Sequence, residues 1–89
     1  MMGKNDAMMN RAKQIVVDYF NGRCDRTDNF KLTMDDVFVV WFCKTLQNWK
    51  ALVSTMVSDG MYYEVTYNGD KGETYLDAYK KWENKRIPD

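Results

Sequence analysis

The chain predicts a small α+β domain, a three-stranded antiparallel meander set between an N-terminal and a C-terminal helix (α-β-β-β-α), with residues 1–89 forming a single domain. Three observations carry this. The run Val37-Phe38-Val39-Val40-Trp41-Phe42-Cys43 has almost no polar relief and is dense in side chains that suit a pleated surface. Two further β-leaning segments follow, the second introduced by Asp59-Gly60, a strong hairpin signal. The segments on either side carry apolar residues at helical spacing.

Residues 6–21 place Met8, Ala12, Ile15, Val16, Tyr19 and Phe20 on one helical face, with Arg11, Lys13, Gln14 and Asp18 elsewhere. Asn5 or Asp6 can cap the start, and Gly22 suits the left-handed position that ends a helix. Residues 22–33 read as a polar connection. For residues 34–46 two readings compete. Thr33 followed by Asp36 approximates a capping box and admits a helix. Seven consecutive apolar residues rich in Val, Phe and Trp favour a strand, because β-branched side chains lose rotamer freedom in a helix. The strand is preferred, and a run apolar on both faces places it at the centre of the sheet.

Gln47-Asn48-Trp49 then reads as a turn. Residues 50–57 make the second strand, with Ala51, Val53, Thr55 and Val57 on one face. Residues 61–67 make the third, Met61, Tyr63, Val65 and Tyr67 alternating with Tyr62, Glu64 and Thr66. The cluster Asn68-Gly69-Asp70-Lys71-Gly72 is another turn, and Asp70 with Glu73 can cap a closing helix over residues 73–86. Tyr75, Leu76, Tyr79 and Trp82 would share its face, and Pro88 prevents extension.

The formal charge is zero, 13 basic against 13 acidic residues, which argues against a dedicated nucleic-acid binder. There is no apolar stretch of about 18 residues to span a membrane, and Met1-Met2-Gly3-Lys4-Asn5-Asp6 lacks the apolar core of a signal peptide. A soluble cytoplasmic protein is the expectation. Cys24 in a polar loop and Cys43 in the apolar run read as free thiols of a reduced compartment, Cys43 buried and inert.

No cofactor or metal is expected. Histidine is absent, two cysteines do not make a structural zinc set, and Asp25, Asp28, Asp35 and Asp36 lack the spacing of a calcium loop. Cys43 has no histidine to activate it, so no catalytic residue emerges and a binding protein is expected rather than an enzyme. The glycine-bearing turn with Lys71 before a helix resembles an anion cradle, but Asp70 and Glu73 put negative charge at the same spot.

Aromatic residues make up 15% of the chain, more large rings than so thin a core can hide. Exposed rings are enriched at interfaces, so a protein partner, or a second copy in a homo-oligomer, is the first inference. Trp49 in its turn and Tyr62 on the outward face head the candidates, with Tyr67 and Trp82 beside them. The alternative is nucleic-acid binding through Lys71, Lys80, Lys81, Lys85 and Arg86. Double-stranded RNA-binding domains share the α-β-β-β-α order, but the turn Asp70-Lys71-Gly72-Glu73-Thr74-Tyr75 lacks the paired lysines such domains place there.

The segments VWFCKTLQN, VSDGMYYEVTYNGDKGE and YLDAYKKWE, spanning Asp35 to Glu83, resemble small uncharacterised proteins encoded by phages and prophages of Gram-positive bacteria. VSDGMYYEVTYNGDK is the most specific of them. The resemblance brings no catalytic residues to transfer. It implies a bacterial host cytoplasm and action by binding host or phage proteins, inhibition of a host defence protein among the possibilities.

Overall fold

The computed structural model describes residues 4–23, 31–57 and 59–88. Helix α1 (Lys4–Arg23) leads through a single 3-10 turn (Met34–Asp36) into strands β1 (Val37–Thr45), β2 (Asn48–Thr55), β3 (Met61–Asn68) and β4 (Glu73–Lys80). The strands form one antiparallel sheet in the order β1-β2-β3-β4. The expected three-strand, two-helix arrangement is therefore corrected: the described residues form four strands and one α-helix, and no C-terminal helix.

The error lies in residues 73–86. Tyr75, Leu76 and Tyr79 do fall at helical spacing, but Thr74, Leu76 and Ala78 also alternate with Tyr75, Asp77 and Tyr79. Tyrosine and threonine favour strands, and β3 offers them a free ladder from Asn68↔Glu73 to Met61↔Lys80. Gly72, at φ 63°, turns the chain back instead of opening a helix. The Asn68 carboxamide oxygen accepts the N–H groups of Asp70 (3.1 Å) and Lys71 (3.4 Å), closing the hairpin locally. Residues 81–88 continue without regular structure and are exposed, Lys81 still donating its N–H to the Gly60 carbonyl.

The apolar run does form a strand. Asp36 Oδ2 accepts from the Thr33 N–H (2.8 Å) and hydroxyl (3.0 Å), so the capping signal is real but serves one turn. Val37 is already extended, at φ −119° and ψ 150°. The strand lies at an edge of the sheet, not at its centre.

Helix α1 crosses one face of β1, β2 and β3. Ala12, Val16 and Val17 pack there with Val37, Ala51, Val53, Tyr63 and Val65, and partly buried Met8, Ile15, Tyr19 and Phe20 extend the contact. The apolar stripe of the sequence is the stripe that docks. Gly22 lies within the helix, which runs on to Arg23. Cys24, Asp25 and Asp28 lie outside the described residues. The chain returns at Leu32, where the Asn21 side chain acts as a clamp: its Nδ2–H donates to the Leu32 carbonyl (2.9 Å) and its Oδ1 accepts the Leu32 N–H (2.8 Å). Burial pushes the Tyr63 phenol above its ordinary value, and the nearby Asp59 charge adds to this.

The β1–β2 turn is Leu46-Gln47, not the expected Gln47-Asn48-Trp49, with Leu46 left-handed at φ 56°. Trp49 thereby enters β2. This turn rests against the β3–β4 turn. A Cβ on Gly69 would fall on the Gln47 carbonyl oxygen and side chain, and Gly69 N–H donates to Asn48 Oδ1 (2.8 Å). Gly69→Ala should therefore lower stability by about 2 kcal/mol, the scale of forced overpacking. An unchanged thermal midpoint would show that the two turns are not so closely apposed.

Candidate functional site: the open face of the sheet

With one helix on one side, the other side of the sheet has no layer over it among the described residues. The strand registers fix what lies there. Phe38, Ser54, Tyr62 and Tyr79 form one row across the strands. Trp41, Leu52, Glu64 and Asp77 form the next, and Cys43, Lys50, Thr66 and Tyr75 the third. Phe38, Trp41, Tyr75 and Tyr79 are each between 42% and 51% exposed, too open for a core and too clustered for chance surface rings.

A β-bulge builds this face. Val39 pairs with Val53 and Trp41 with Leu52, leaving Val40 as an extra residue. Strict alternation from Phe38 would send Trp41 to the helix side. The extra residue re-aims it, so Phe38 and Trp41 share the open face while Val37, Val39 and Phe42 share the covered one. A run apolar at every position thus serves both faces of an edge strand.

The face is not purely apolar. Lys50 Nζ lies 3.4 Å from Glu64 Oε1 in a partly exposed ion pair that adds little stability. Asp77 stands across from Glu64 in the ladder, so beside the Lys50–Glu64 pair the middle of the face carries one further carboxylate. The Tyr75 hydroxyl donates to the Glu73 carboxylate, and that bond with the neighbouring charge raises its phenol pKa. A hollow of about 490 Å³ near one end is lined by Trp41, Cys43, Lys50 and Thr66 among others. Cys43, expected to be buried, is exposed there.

The structure distributes the predicted site residues differently from the sequence reading. Tyr62 is on the open face. Trp49 is 6% exposed on the helix side, stacked on Tyr67 with ring centroids 5.8 Å apart and beside Phe42 at 6.0 Å. Trp82 is 94% exposed, but in the extended tail. Lys71 is in the β3–β4 turn, Lys80 ends β4, and Lys81, Lys85 and Arg86 follow in the tail. They share no helix, so the helical basic surface does not form. Phe38, Leu52, Trp41, Tyr75 and Tyr79 are not among the residues the sequence nominates for the site. Only the bulge and the fourth strand bring these together.

Among the described residues no three His, Cys, Asp or Glu side chains gather as metal ligands, and no helix is long and apolar enough to cross a membrane. Residues 9–89 match a family described as of unknown function, DUF6275. The chain belongs to the DUF6275 family. No curated protein and no solved structure matches this DUF6275 chain.

Proposed function

We propose that this DUF6275 protein is a small binding protein whose open sheet face docks a protein partner. The observation that carries the reading is the aromatic cluster of Phe38, Trp41, Tyr62 and Tyr79 on a face that no described element covers. Rings of this kind are the anchors of protein interfaces. Asp77, beside the Lys50–Glu64 ion pair, leaves the centre of the face with a net negative charge, which opposes a nucleic-acid backbone and suits a partner surface with apolar and basic groups. The resemblance to phage and prophage proteins supports a cytoplasmic setting and a host or phage protein as the partner, a defence protein included.

The test is capture from host lysate on immobilised protein, comparing the native chain with Phe38→Ser/Trp41→Ser and with a control, Leu46→Ser, in the exposed turn. A partner held by the native and control proteins should be lost from the double variant, by roughly 2 kcal/mol or more, or about thirtyfold in affinity. Its retention should change little with salt. Equal capture by all three proteins would overturn the proposal, and steep loss with rising salt would favour the nucleic-acid reading through Lys71, Lys80, Lys81, Lys85 and Arg86.

A further inference from the structure

The two edges of the sheet are unlike. The β1 edge is broken by the bulge at Val40, a feature that discourages further pairing. The β4 edge is eight residues long with no proline or bulge, no described residue forms an element over it, and every residue but Leu76 is exposed. Such an edge is a template for another strand.

Its unused hydrogen-bonding groups can be assigned. Lys81 N–H donates to the Gly60 carbonyl (2.7 Å), so position 81 faces β3. Strand alternation then turns the N–H and C=O groups of Thr74, Leu76, Ala78 and Lys80 outward. A second strand must set outward groups against outward groups, which restricts an antiparallel two-fold pairing to registers centred on a residue.

We infer that β4 pairs antiparallel with β4 of a second copy about a two-fold axis at Asp77, joining two sheets into one of eight strands. In this register Glu73 stands opposite Lys81 of the second copy and Tyr75 opposite Tyr79, each pairing occurring twice. The cost is one Asp77–Asp77 opposition at the axis. Centring on Leu76 or on Ala78 would lose both the tyrosine pairs and the Glu73–Lys81 pairs, setting Glu73 opposite Tyr79 in the first case and Lys81 opposite Tyr75 in the second. The acidic start and basic end of β4 therefore complement their own reversed copy, which identifies the occupant as a second copy of this chain. The axis stands perpendicular to the sheet, so both helices lie on one side and both open faces on the other. The backbone pairing uses the edge of the sheet, and although Asp77 and Tyr79 also belong to the proposed docking face, Glu73 and Lys81 lie outside its cluster, so the charge variants test the pairing separately.

Edge pairing alone buries less than the roughly 1,600 Å² of a standard interface, so a weak, micromolar dimer is expected. Sedimentation equilibrium over a concentration series should show the native mass doubling. Ala78→Pro removes an outward N–H and should leave a folded monomer. Glu73→Lys and Lys81→Glu, each exposed, should singly weaken the dimer about tenfold, since each change replaces two attractions by two repulsions. Combined, they should restore it. A native protein that stays monomeric throughout, a folded Ala78→Pro variant that dimerises as well as the native chain, or a double variant no tighter than the singles would overturn the inference. The charge variants decide the matter if Ala78→Pro fails to fold.

Discussion

Trp49→Ala should destabilise the protein by about 3–5 kcal/mol, the range for removing a buried tryptophan. Trp49 sits 6% exposed at the start of β2, its ring between Phe42 and the stacked Tyr67. Deleting it opens a hole at the end of the core that two aromatic neighbours cannot collapse into, because strand pairing holds them (Phe42↔Ala51 and Trp49↔Tyr67). Against a total stability of about 5–15 kcal/mol for a domain, this is a large fraction. Urea unfolding followed by tyrosine fluorescence should show a lower midpoint with an unchanged slope. A variant as stable as the native chain but defective in partner binding would return Trp49 to the surface role its sequence context suggests.

That contrast shows where the sequence was informative. The docking stripe of α1 was legible because Met8, Ala12, Ile15, Val16, Tyr19 and Phe20 obey one period only. The inward set Ala51, Val53 and Thr55 of β2 and the alternation of β3 were legible for the same reason. Placement of Trp49 depended on a turn two residues long, and Leu46 gives no local sign that it will take the left-handed conformation. β4 was misread because Glu73–Lys80 satisfies both the helical and the strand period, and only the free ladder of β3 decides between them. The open face was illegible for a different reason. It depends on one unpaired residue, Val40, within a run where every neighbour is apolar and no alternation can be counted.

The same one-sided architecture makes Val16→Asp the most damaging substitution. Val16 is fully buried in the middle of α1, against the covered face formed by β1, β2 and β3. A carboxylate there has no buried partner and must either be desolvated or drag the helix off the sheet. The expected loss is about 4 kcal/mol or more, in the range reserved for unpaired buried charge, and the cooperative thermal transition should disappear. Gln14→Ala is the control on the same helix. It removes only an exposed hydrogen bond to Asp18 (2.8 Å) and should change stability by no more than about 0.5 kcal/mol. Without the helix, Val53, Tyr63 and Val65 would join Phe38 and Trp41 in solvent, leaving a sheet apolar on both sides with an open edge at β4. Such a sheet should aggregate without limit instead of forming the closed pair expected of the native chain. A Val16→Asp protein that kept both a sharp transition and a defined mass would show that α1 is not what separates the buried face from the binding face.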